Sequence, residues 1–130
     1  MDLLFLLGRI IFGGYFVMNG YNHLTKSGMM AGYAASKNVP SPQAAVLLTG
    51  AQLVLGGLSI ALGVYTQLGS WLLILFVVPV AFVMHRFWEE KDENAKMMQM
   101  ILFMRNMALA GALLMISTIQ SWPLSIQLPY

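Results

Sequence analysis

Apolar residues gather into four long runs along this chain, and most polar residues lie between them. The first run, Leu3 to Leu24, reads LLFLLGRIIFGGYFVMNGYNHL and is interrupted by Arg9. The connector that follows, TKSGMMAGYAASKNVPSP, is too polar to cross a membrane and suits a short helix at its surface. Pro40, Ser41 and Pro42 then punctuate the chain. Ser41 suits a helix N-cap and Pro42 a first turn, so the second run extends from Pro42 to Leu62. Gly63 stops it, and VYTQ makes a tight turn. The third run goes from Leu68 to Trp88, with Pro79 in its middle. That proline cannot donate to the Leu75 carbonyl, which predicts a kink. After the charged loop EEKDENAK comes the fourth run, Met97 to Ile119. The tail, SWPLSIQLPY, offers Trp122 and Tyr130 as interface residues.

Each run is close to the roughly 20 residues that a helix needs to cross a bilayer. Composition agrees. Of 130 residues, 58% are hydrophobic and 9% charged, with a mean hydropathy of +0.72. A soluble domain this small needs far more polar surface. The expected fold is an all-α integral membrane protein: a four-transmembrane-helix bundle with a kinked third helix, forming one domain over residues 1–130. The first run reads as a span rather than a signal peptide, because Asp2 replaces a basic n-region and the run is too long.

Charge gives the orientation. Lys26, Lys37, Arg86, Lys91 and Lys96 all fall in or beside the first and third loops. The second loop and both termini carry no Lys or Arg when Arg9 is counted within its helix. The positive-inside rule therefore puts loops 25–41 and 89–96 in the cytoplasm and both termini outside. In this reading the membrane is a prokaryotic inner membrane.

Several chemistries drop out. The absence of cysteine removes disulfides, thiol relays and thiolate metal sites. Lys and Arg form no patch for nucleic acid. No span holds paired carboxylates, and the glycines of LGRIIFGG and GAQLVLGGL are helix-packing residues rather than a phosphate cradle. The acidic run EEKDEN reads as a solvated loop that could also dock a cytosolic partner.

What remains is a set of polar side chains inside the spans. Arg9 and Arg105 each lie about eight residues, or roughly 12 Å, into oppositely directed helices, so they belong to opposite leaflets. Asn19 and His23 share a helix face, and Arg9, Phe16 and His23 form one stripe at sevens. Gln52 heads the stripe Gln52–Gly56–Ser59–Gly63, whose small residues permit close helix contact. His85 and Trp88 close the third run, and Arg105 with Asn106 sits in the cytoplasmic half of the fourth. All four spans thus bring polar groups to a similar depth. The candidate ligand-binding residues are His85, Arg105, Asn106, Gln52, His23, Asn19, Trp88 and Arg9. Neutral His, Asn and Gln can hydrogen-bond a quinone ring, with Trp88, Phe16 and Phe87 as stacking surfaces. Haem b held by His23 and His85 ranks below quinone, and copper held by the methionine pairs ranks lower still.

The same residues resemble the DoxX family of membrane proteins. GRIIFGGYFVMNGYNHL is similar to that family's opening helix, and TGAQLVLGGLSIALGV to its glycine-rich second helix. PVAFVMHRFW and FMRNMALAGALL resemble its third and fourth helices, including His85, Phe87, Trp88, Arg105, Asn106 and Gly111. The family is similar to the small membrane subunit of thiosulfate:quinone oxidoreductase. The resemblance implies a four-helix bundle and a quinone-linked function; because the sequence holds no redox-active residue pair and no recognisable flavin site, a partner subunit is expected to supply the electrons. Two positions depart from the family: Gln52 stands where many members carry an acid, and His23 where lysine is frequent. A proton relay through that acid is therefore not expected here. Two other readings stand beside this one: a non-catalytic scaffold subunit, and a homo-oligomeric conduit for anions or small solutes.

Overall fold

The computed structural model describes residues 1–126, so Tyr130 lies outside the described residues. Helices α1 (Asp2–Thr25), α2 (Ser27–Ser36), α3 (Pro42–Leu62), α4 (Thr66–Met84) and α5 (Glu93–Ser117) follow one another, with no strand among the described residues. Four helical segments are long and apolar enough to cross a membrane: Asp2–Thr25, Pro42–Leu62, Thr66–Glu89 and Glu93–Ser117. Large apolar side chains such as Leu3, Ile11, Leu48, Leu75 and Met104 face outward, as lipid-facing positions should. The short α2 occupies the polar connector and packs on α3.

Local chemistry sets the helix ends. At α3, Pro42 takes the first turn and Gly63 closes the helix with φ +74°. Ser41 holds the N-cap position, but its side chain makes no capping bond. The Ser59 hydroxyl donates to the Val64 carbonyl at 2.6 Å, fixing the turn into α4. α4 runs through Pro79 but stops at Met84, four residues short of the expected Trp88. The reason lies in side chains that take over the terminal carbonyls. Arg86 Nε donates to Val83 at 3.1 Å and the Tyr33 hydroxyl to Met84 at 3.3 Å. Phe87–Glu89 then form a short 3-10 turn. α5 starts at Glu93, earlier than the hydropathy run, because Asp92 accepts the Ala95 N–H at 2.9 Å as an N-cap.

Packing runs in series, α1 on α3, α3 on α4 and α4 on α5. Glycine governs the first of these contacts. A Cβ added to Gly13 would lie 2.4 Å from the Gly57 carbonyl, and one added to Gly57 would lie 2.6 Å from the Gly13 carbonyl. Backbone therefore meets backbone at this crossing. Gln52, Gly56 and Ser59 lie elsewhere, along the α3–α4 seam, where Gly56 abuts Leu73 and Gly69 abuts Ser59, while Gly63 faces Arg9 and the tail. Phe16, Leu53, Ile60, Leu73, Val77 and Leu113 form the buried core.

The tail folds back over the end of the bundle that carries the start of α1 and the α3–α4 turn. Ile126 N–H donates to the Leu62 carbonyl at 3.1 Å, and the Trp122 ring meets Phe5 edge-on at 5.2 Å. At the opposite end, Lys37 pairs with Glu90 at 3.5 Å and Arg86 Nη2 donates to the Lys37 carbonyl at 3.3 Å, joining the first and third loops.

Candidate ligand-binding cavity

Because the helices pack in series, α1 and α5 close the bundle less tightly than their neighbours do, and a cavity of about 510 Å³ opens between the helices. That volume is in the ordinary range for a small-molecule site. Its wall is mostly apolar, with contributions from Phe16, Leu53, Phe76, Val77, Val80 and Leu109. Polar groups enter from several elements: Asn19 and His23 from α1, Tyr33 from α2, Thr49 from α3, His85 from the end of α4, and Arg105 and Asn106 from α5.

Each polar group is anchored on one side. His23 Nδ1 lies 2.8 Å from the Asn19 carbonyl, and its ring meets Phe76 edge-on at 5.6 Å. Gly50 makes room for it, since a Cβ there would sit 2.8 Å from His23 Cβ. His85 is buried, with Nδ1 2.9 Å from Gln99 Oε1. Gln99 Nε2 in turn donates to the Tyr33 hydroxyl at 3.0 Å. Asn106, only 3% exposed, donates from Nδ2 to the Val77 carbonyl at 3.2 Å, which leaves its Oδ1 without a partner among the described residues. Arg105 makes neither a hydrogen bond nor an ion pair among the described residues.

Five of the eight candidate residues, His85, Arg105, Asn106, His23 and Asn19, therefore share one cavity. The other three lie elsewhere. Gln52 points into the α3–α4 seam, where its Nε2 donates to the Leu72 carbonyl at 2.6 Å, and Thr49 takes its place in the wall. Trp88 stands with Phe82, Phe87 and Phe103 in an aromatic cluster on the α4–α5 side, 5.8 Å from the Phe103 ring. Arg9 is buried at the far end, where Nη1 donates to the Pro123 carbonyl at 2.8 Å and Nη2 to that of Leu124. Hydropathy reasoning missed Tyr33, which lines the cavity, and Gln99, which holds His85 from behind. Both lie on polar faces at the edges of apolar runs, and nothing in their spacing distinguishes them from solvated residues.

The cavity suits a flat lipophilic ring bearing oxygen atoms, with apolar walls for the ring and polar atoms for its rim. Among the described residues, no group of three or more His, Asp or Glu comes together in a way that could hold a metal ion. The two imidazoles share the cavity, each with Nδ1 tied to an oxygen.

The DoxX family model matches residues 4–86, from the first turn of α1 to the residue after His85. No curated protein and no solved structure matches the chain. The match thus takes in His23, Thr49 and His85, while Gln99, Arg105 and Asn106 lie beyond it.

Proposed function

Because the chain belongs to the DoxX family of membrane proteins, we propose that it is the small membrane subunit of a quinone-linked redox complex, binding a quinone or similar lipophilic ring in this cavity. The observation that carries the reading is that both histidines of the chain line one largely apolar cavity walled by all four spans. The cavity lies at the end of the bundle near the Lys-bearing first and third loops. By the positive-inside rule that end is cytoplasmic, in a prokaryotic inner membrane with both termini outside.

A bound quinone would supply two-electron, two-proton chemistry that the chain itself lacks. With no cysteine, the chain has no thiol pair to deliver electrons, so these come from a partner subunit. The chain's own residues have three roles. Phe16, Leu53 and Phe76 exclude water around the ring. His23, His85 and Asn106 meet its oxygen atoms. Arg105 places a cation beside them that no carboxylate neutralises among the described residues.

Two contacts favour a second reading, a scaffold subunit. Gln52 and Asn106 both spend an amide N–H on an α4 carbonyl, which ties α3 and α5 to α4 whether or not a ligand binds.

Purification in mild detergent, followed by a visible absorption spectrum and extraction of lipophilic cofactors, separates these readings. A stoichiometric quinone supports the proposal. A haem band that disappears in His23→Ala and His85→Ala replaces the quinone with haem. If neither cofactor appears and added quinone does not bind, the scaffold reading takes its place.

A further inference from the structure

The hydrogen bonds behind the two histidines, with Gln99 oriented as it stands, assign their protons. The chain of bonds is settled from its far end. The Met84 carbonyl can only accept, so the single proton of the Tyr33 hydroxyl points to it. Tyr33 Oη can then only accept from Gln99, which requires the amide nitrogen of Gln99 to face it. The amide oxygen of Gln99 therefore faces His85, and Nδ1 of His85 must carry the proton. His23 reaches the same state by a shorter route, because its Nδ1 meets a backbone carbonyl that can only accept. In the neutral ring, each histidine is left with a bare lone pair on Nε2. Neither Nε2 has a partner among the described residues, and both rings line the cavity. Asn106 adds a third acceptor, since one of its two amide N–H groups is taken by Val77 and its Oδ1 is open. Three of the polar groups at the cavity therefore present acceptors, and Arg105 is a donor lining the same cavity.

From this arrangement we infer that the cavity selects an aromatic ring carrying hydroxyl groups, the reduced quinol, over the corresponding quinone. The inference rests on the ring-binding reading above and names the form of ligand that the site takes. A hydroxyl donates to an imidazole Nε2 and still accepts from Arg105. A quinone carbonyl accepts from Arg105 but leaves the imidazole lone pairs facing it unpaired in a largely apolar cavity. Each unpaired buried group carries a desolvation penalty, so the quinol binds at least about tenfold more tightly. Gln99 acts as a positioning residue: it touches no ligand and sets which nitrogen of His85 the ligand meets.

Two measurements test this on the full chain in detergent. The first needs no ligand: nitrogen NMR of 15N-histidine-labelled protein, at a pH where both rings are neutral, reads the tautomers directly. Proton on Nδ1 in both rings is the expected result, and proton on Nε2 in either overturns the assignment. The second is titration, under argon, with a short-chain benzoquinone and with the same compound chemically reduced. The quinol should bind at least about tenfold more tightly, and Gln99→Leu should lower the ratio by the His85 share while quinone affinity holds. Gln99→Glu keeps an acceptor for His85 Nδ1 and should retain the preference, which shows that the position tolerates substitution. Equal affinities in the unsubstituted protein overturn the selection while leaving the ring-binding reading intact. If neither form binds, the ring-binding reading itself fails, and the selection with it, whatever the tautomers.

Discussion

The Arg9 guanidinium donates to the Pro123 carbonyl at 2.8 Å, joining the first helix to the tail that follows the last. A second bond, to Leu124, comes from the same group, and Arg9 is only 6% exposed. The cation is thus neutralised by peptide dipoles at the end of the bundle, remote from the cavity. Replacing Arg9 with Met should free the tail and cost about 2–3 kcal/mol, the scale for buried bonds to a charged group. Thermal unfolding in detergent measures the loss, and limited proteolysis should cut the tail first. Ligand affinity should stay unchanged. A fall in affinity with an intact tail would return Arg9 to the site.

Neighbouring glycines in α1 should behave oppositely. A methyl group at Gly13 would collide with the Gly57 carbonyl and with Ala61, whereas one at Gly14 meets nothing within 4 Å. Gly13→Ala must therefore push α1 off α3, at a cost of about 2 kcal/mol or more. Gly14→Ala should be neutral to mildly stabilising, since alanine is the better helix former by roughly 1 kcal/mol. The melting temperatures of the two variants, measured side by side, check the claim. Equal values would mean that the α1–α3 crossing tolerates separation.

How much of this was legible in the sequence depends on the periodicity involved. The α3 boundaries, Pro42 and Leu62, could be read because a proline and a glycine mark them. The end of α4 could not. Apolar character continues through Phe87 and Trp88, while the carbonyls at the helix end are taken by Arg86 and by Tyr33, the latter some 51 positions away in sequence. The polar residues within the spans identified His23, His85, Arg105 and Asn106 as candidates to converge, and they do share a cavity. Direction around each helix was harder to read. Gln52 and Thr49 are one turn apart, and only tertiary packing decides which of them faces the cavity and which the seam.

Trp88 shows the same limit, and it yields a test. It lies three residues after His85, yet its ring faces Phe82, Phe87 and Phe103 rather than the cavity. Trp88→Ala should therefore cost about 1–2 kcal/mol through lost ring contacts. Quinone or quinol affinity should not change. Titration of the folded variant decides: a large loss of affinity would mean that the ring swings into the cavity when ligand is present.

Gln52 and Asn106 separate the two functional readings. Both amides donate to α4, at 2.6 Å to Leu72 and 3.2 Å to Val77, so either substitution by Leu removes an interhelical bond of about 0.6–2 kcal/mol. Only Asn106 also lines the cavity. If the bundle binds a ring, Asn106→Leu should lose ligand affinity about tenfold, for want of its Oδ1, while Gln52→Leu loses stability alone. If the bundle is a scaffold, the two variants should loosen it alike, and neither should alter any ligand. Unfolding and ring titration of both variants in one detergent therefore read the cavity's role directly, since the two residues share a bond type and differ in where the rest of the amide faces.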